Sequence, residues 1–262
     1  MSTDPKMRLA MGIEYDGSRY HGWQVQEEGV DSVQFQLERA VSKVANHPLS
    51  VQCAGRTDRG VHGTGQVVHF DTHSVRPERS WLLGTNVNLP FDINVNWVKP
   101  VPDDFHARFS ATSRSYRYMI LNRKTRSAIW RDRAVWIHHE LDVARMAEAA
   151  AHLLGTHDFS SYRAVGCQAK SPVRTITRLD VERQQDRIII DITANAFLHH
   201  MVRNIAGVLI TIGKGEQSTE WSREVLGYRD RTLGGVTAPP QGLYLVHVGY
   251  PEQYALPDNP PL

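Results

Sequence analysis

The sequence predicts an α+β protein made of two β-α-β-β-α-β halves, each an antiparallel sheet backed by two helices. Three observations predict it. Short segments alternate apolar and polar residues with period two, longer stretches carry apolar residues at helical spacing, and the order recurs after a proline pair, Pro100 and Pro102.

In the first half, Leu9, Met11, Ile13 and Tyr15 alternate as a strand. Asp31-Ser32-Val33-Gln34 reads as a helix start, and Val33, Leu37, Ala40, Val41 and Val44 line one face behind it. Strands are expected near 50–54 and 66–70, a helix from about Pro77 to Leu83, and a strand on Ile93, Val95 and Trp97. Prolines remove ladder donors and stiffen the backbone, so Pro100 and Pro102 mark a linker between residues 1–104 and 105–262.

The second half opens with a strand on Tyr116, Tyr118 and Ile120. A helix follows on Val143, Met146, Ala147, Ala150 and Leu154, stopped by Gly155. Strands near 174–183 and 187–194 precede a helix on Leu198, Met201, Val202, Ile205, Leu209 and Ile212, which ends at Gly213. A short helix near 219–226 and a strand from Leu243 to Val248 complete it, with an extended or frayed tail from Leu256. Each half is ferredoxin-like, a topology shared with RNA-recognition modules and with many unrelated proteins.

The 262 residues can bury one large core or two medium ones. A formal charge of +2 permits a polyanionic partner without demanding one. Distribution is more informative: from Phe105 to Arg133 eight Arg and Lys face one acid, Asp132, with Tyr116, Tyr118 and Trp130 interleaved. That mixture suits a nucleic-acid backbone and its bases, although a solvated charged face has the same composition. Two distant cysteines, Cys53 and Cys167, fit a reducing compartment. The amino terminus lacks the apolar core of a signal peptide, and the apolar run at Ile205–Ile212 is too short to span a bilayer. A cytoplasmic protein with no membrane partner is expected.

Gly55 to Gln66, Gly-Arg-Thr-Asp-Arg-Gly-Val-His-Gly-Thr-Gly-Gln, is too long for a tight hairpin turn. Its four glycines permit positive φ and close approach of another molecule. Asp58 stands in the middle, between Arg56 and Arg59, as an ionised aspartate presented to a ligand or as a hydrogen-bonded turn residue. A phosphate-binding P-loop, a Gly-x-Ser-x-Gly elbow and a zinc-protease helix are all absent from the sequence. His199-His200 would diverge by about 100° on a helix, which argues against a metal pair. His199, Arg203 and Gly207 would instead form a helical strip, with Gly207 admitting another backbone. Arg203 at the edge of a core needs a partner, and Asp58 is a candidate; a snorkelling Arg203 is the alternative.

Gly55-Arg56-Thr57-Asp58-x-Gly60-Val61-His62, followed by Gln66-Val67-Val68-His69-Phe70, resembles the catalytic motif of the tRNA pseudouridine synthase A family. Further matches stand in order: Tyr15-Asp16-Gly17, Tyr20-His21-Gly22-Trp23-Gln24-Val25-Gln26, Ser32-Val33-Gln34 and Asp104 to Ala111. Tyr116-Arg117-Tyr118, Asn195 to Ile205 and Gly242-Leu243-Tyr244 continue them. One departure is Arg59, where alanine is usual.

The resemblance implies a pseudouridine synthase fold with a central cleft between the halves. It also implies isomerisation of uridine to pseudouridine at tRNA positions 38 to 40 in the anticodon arm, without cofactor or metal, by a homodimer. The N1–C1′ bond breaks, the uracil turns, and C5 bonds to C1′. Asp58 would be the nucleophile, on the ring or on the sugar, kept ionised by cations such as Arg203. Arg56 would hold a phosphate or fill the space left by the flipped base. Tyr116 would stack on the uracil and help to remove the C5 proton, and Leu243 would pack on the other face. The alternative from another class is a non-catalytic RNA-binding or RNA-folding protein using the same basic cleft. An aspartate-nucleophile hydrolase lacks a second carboxylate or metal cluster at recognisable spacing.

Overall fold

The computed structural model describes residues 6–25, 30–260 and 262. Gln26 of the motif lies outside the described residues, as do residues 1–5, where a leader would begin. The chain forms two compact units, Met1–Thr112 with Tyr244–Leu262, and Ser113–Leu243.

The first unit has the order β1 (Met7–Tyr15), α1 (Val33–Ala45), β2 (Gln52–Cys53), β3 (His62–Thr72), α2 (Glu78–Asn88) and β4 (Ile93–Val101). Antiparallel pairing gives β4-β1-β3, with β2 on β3. The alternation seen in the sequence places Leu9, Met11 and Ile13 in a core with Leu37, Val41, Val68, Phe70 and Trp81. Ser32 caps α1 through its hydroxyl, which accepts from Phe35 N–H. Helix α2 runs past its expected end at Leu83, because Gly84 faces Val44 of α1 and lets the helices approach. In sequence, Gly84-Thr-Asn-Val-Asn88 reads as a loop.

Pro100 is not in a linker. It lies within β4, opposite Leu9, on a strand whose other side is free in this unit's sheet, where a missing N–H costs no ladder bond. The first unit instead runs on to Thr112, whose N–H donates to Gly249 O. The final strand β10 (Leu243–Gly249) joins the same unit from Tyr244 and pairs in parallel with β3, Tyr244 opposite His62. Two bonds tie the tail to β4: Trp97 Nε1 donates to Asn259 Oδ1 at 3.0 Å, and Lys99 Nζ to Ala255 O at 2.5 Å.

The second unit contains β5 (Ser113–Asn122), β6 (Val135–Ile137), α3 (Val143–Ala151), β7 (Gly155–Asp158), β8 (Val173–Gln184), β9 (Arg187–Ala194), α4 (Met201–Gly213) and α5 (Trp221–Tyr228). Its strands run β5-β9-β8-β7, with β6 parallel on the outer end of β5. Strands β6 and β7 are too short to show periodicity. Helix α3 ends at Ala151, before the expected stop at Gly155, which instead opens β7 with φ 93°.

Helix α4 begins at Met201, so His199 lies outside it. His200 precedes the helix in the left-handed region with φ 60°. The expected strip therefore reduces to Arg203 and Gly207. A Cβ on Gly207 would come within 1.7 Å of Val236 O, so this glycine does admit a second backbone.

Candidate active site

Asp58 sits on the loop between β2 and β3, and nearly every neighbour in that loop is tied down. Gln66, fully buried on β3, donates its amide to Gly55 O at 2.6 Å and accepts from Gly55 N–H at 3.3 Å. Buried amides need such partners, and here both lie on the backbone just before the loop turns outward. Thr57 follows, buried: its hydroxyl meets Tyr15 OH at 2.8 Å, and its carbonyl accepts from Trp23 N–H at 3.0 Å. On the far side, Val61 N–H donates to Asp58 O at 3.1 Å and closes a four-residue turn. Gly60 occupies its third position with φ 75°, a conformation costly for other residues.

Two glycines outside the loop set how closely it packs. A Cβ on Gly17 would stand 1.9 Å from Val61 O, and one on Gly22 would stand 2.7 Å from Thr57 O. Gly17 N–H also donates to His62 Nδ1 at 3.1 Å, and the buried His62 ring stacks on Tyr244 at 4.6 Å and 21°. The Asp58 side chain is half-buried, while Arg56 and Arg59 are exposed. Arg59 therefore enters solvent without disturbing the loop's packing.

Of the four loop glycines, only Gly60 has positive φ. Gly63 and Gly65 belong to β3, where a Cβ would strike the Tyr15 ring and Val246 O respectively. Cys53, just before the loop, is not a second nucleophile: burial pushes its thiol up to about 12 and keeps it protonated.

Tyr116, Arg203 and Leu243 all belong to the second unit. Tyr116 lies on β5 opposite Ile192, is buried, and meets Phe197 edge-on with ring centroids 5.0 Å apart. Arg203 is half-buried on α4. Its Nε donates to Ala238 O at 2.8 Å, and its own carbonyl accepts from Ala238 N–H at 3.0 Å. Leu243 is buried at the start of β10, after Gly242, where a Cβ would stand 2.7 Å from Met119 O.

The histidines before α4 place their rings 4.0 Å apart. The helical divergence that set a metal aside does not apply to them, because neither lies in a helix.

The basic stretch 105–133 is not one uniform surface. Arg108 belongs to the first unit, and the cations from Arg114 onward to the second. Arg117 forms a two-bond pair with Asp191 across from it on β9, at 2.8 and 2.9 Å, and Arg123 pairs with Asp186 at 3.1 Å. Tyr118 is a core residue, its hydroxyl donating to Pro239 O and its ionisation suppressed by burial. Trp130 is occupied by the Arg187 guanidinium, 5.7 Å from its ring centre. Lys124, Arg126, Arg131 and Arg133 are exposed, and Arg131 pairs with the neighbouring Asp132 at 3.1 Å.

The residues that hold Asp58 in place, Tyr15, Gly17, Gly22, Trp23, His62 and Gln66, are members of the sequence clusters that carry the family resemblance. Compared with known families, residues 11–110 and 149–251 match the one described as "tRNA pseudouridine synthase". The chain belongs to that family. A relative named tRNA pseudouridine synthase A from Alcanivorax borkumensis is 56% identical over 97% of this chain and 95% of its own length. The proteins of that name from Shewanella woodyi and Pseudomonas aeruginosa are 60% and 59% identical, over 96% of this chain and 96% and 88% of theirs. A solved structure, described as a Cbf5-Nop10-Gar1 complex, aligns with TM-score 0.34 at 9% identity over 77% of this chain and 45% of that one, too slight a likeness to argue from. As a tRNA pseudouridine synthase the chain is an isomerase acting on tRNA uridine.

Proposed function

We propose that this tRNA pseudouridine synthase acts on uridines at positions 38 to 40 of the anticodon arm, with Asp58 as the nucleophile. The observation that carries the reading is the clamped loop: a half-buried carboxylate on a backbone fixed by Gln66, Tyr15, Trp23 and Gly17. A nucleophile that must meet one atom of an everted nucleoside gains from such fixation, because misplacement by an ångström costs orders of magnitude in rate.

In this reading Asp58 attacks C1′ or the uracil ring as the N1–C1′ bond breaks, and is released when C5 joins C1′. Arg203 contributes a cation to substrate binding, and Arg56, exposed on the Asp58 loop, holds substrate phosphate or takes the place of the flipped base. Tyr116 stacks on the uracil, with its hydroxyl assisting removal of the C5 proton, and Leu243 covers the other face. The enzyme works as a homodimer in the cytoplasm, with neither cofactor nor metal.

Pseudouridine mapping in tRNA incubated with the pure protein tests this, beside Asp58→Asn. The expected result is modification confined to positions 38 to 40 and absent with the variant, which still binds tRNA. Modification by Asp58→Asn at the wild-type rate would remove the nucleophile; modification elsewhere would remove the anticodon-arm assignment.

A further inference from the structure

Phe109 is three-quarters exposed, yet it stands on a turn held by several hydrogen bonds. His106 O accepts from Ser110 N–H at 2.9 Å, and Ser110 Oγ accepts from His106 N–H at 2.9 Å. His106 Nδ1 accepts from the backbone N–H groups of Arg108 and Phe109, at 3.1 and 3.3 Å. Ala107 is gripped from both sides, its N–H donating to His69 Nδ1 at 3.1 Å and its carbonyl accepting from Tyr250 OH at 2.6 Å. Both acceptor roles require neutral imidazoles. Burial, aided for His69 by the nearby His106 and for both by Arg8, lowers the two histidines, His69 to about 4.

The turn presents an aromatic ring and a cation together. Phe109 lies 4.3 Å from the His106 ring, and the exposed Arg108 guanidinium is 5.6 Å from the Phe109 ring centre. A fixed, exposed ring costs little entropy on binding, and paired with an arginine it matches a nucleotide: base on ring, phosphate on guanidinium.

We infer that the 106–110 turn is a docking platform for an unpaired nucleotide of the tRNA substrate, its base stacked on Phe109 and a neighbouring phosphate held by Arg108. This rests on the tRNA reading above and adds a contact apart from the residues assigned there to the reaction.

The test compares tRNA affinity of Phe109→Ala, Phe109→Trp and Arg108→Gln, with a fully paired RNA duplex of similar length as control. Phe109→Ala should weaken tRNA binding roughly 5- to 150-fold, the range for loss of one stacked base. Phe109→Trp should restore it, duplex binding should be unchanged, and conversion at saturating tRNA should stay near wild type. Arg108→Gln should reduce the slope of log K against log salt by about 1. Unchanged tRNA affinity of Phe109→Ala, or an equal loss for duplex, would overturn the inference, as would a shift in oligomeric state with tRNA affinity intact. Each of those outcomes leaves wild-type pseudouridine formation in place, so the function and the platform can fail separately.

Discussion

The Asp58 loop and strand β5 each deliver a candidate site residue, and they do so by different means. Tyr116 is placed by ladder hydrogen bonds: its register opposite Ile192 on β9 fixes where its ring starts, and Phe197 limits where it can go. Asp58 has no ladder. Its position comes from a buried glutamine, a tyrosine hydroxyl, a tryptophan N–H and two glycines that let backbones meet. A loop can be as well placed as a strand, but only when residues from several segments agree on one geometry. That explains why so many of the family's matching residues lie around Asp58 rather than in the chemistry.

The largest expected effect tests the reactive group itself. Asp58→Asn should lower pseudouridine formation by at least roughly 10³-fold with tRNA affinity retained, the pattern for loss of a nucleophile. A substantially smaller loss in single-turnover assays would mean that the loop positions a group other than the attacking one.

The next effect separates the two means of placement. Gly17→Ala puts a methyl group into Val61 O and should cost about 3 kcal/mol in urea unfolding, with activity falling further than stability. Gly227→Ala, in α5 of the second unit with open space around it, should be neutral or stabilising by up to about 1 kcal/mol. Equal effects for the two glycines would show that the loop can give way.

A third effect concerns pH in the first unit. His69 is held neutral in the fold, lowered from 6.5 to about 4, chiefly by burial. Below about pH 6.5 the unfolded chain takes up a proton that the folded chain refuses, so stability should fall as pH drops from 6.5 to 4, by about 3 kcal/mol in all. His69→Asn keeps an acceptor for Ala107 N–H and does not titrate, so its stability curve should lose that slope. Parallel curves for the two proteins would assign the slope to other groups.

The smallest effect falls on the strand. Tyr116→Phe keeps the ring and its contact with Phe197, so tRNA binding should hold while turnover drops about 10²-fold if the hydroxyl moves a proton. Equal turnover in the two proteins would leave Tyr116 as a stacking surface only.

Much of the secondary structure was legible because it follows from periodicity. Leu9, Met11 and Ile13 alternate into the core, Val33, Leu37 and Val41 share a helix face, and Ser32 caps as its position suggested. Reading failed where non-local contacts overrode local signals. Gly84 sits inside α2 because Val44 needs the space, Pro100 sits inside β4 at a free edge, and Gly63 and Gly65 sit inside β3 because Tyr15 and Val246 approach. Arg117 and Arg123 looked like backbone-binding cations because their partners, Asp191 and Asp186, lie more than sixty residues onward.

By itself the sequence determined the order of strands and helices, the family, and the one carboxylate flanked by arginines within the glycine-rich segment. These depend on spacing and residue type over short stretches, where local rules suffice. Only the tertiary structure decided that β10 returns to pair with β3, that Gln66, Tyr15 and Gly17 fix the Asp58 loop, and that Phe109 stays outside on a rigid turn. Those depend on which distant segments meet, and burial and hydrogen-bond satisfaction across the whole core make that choice.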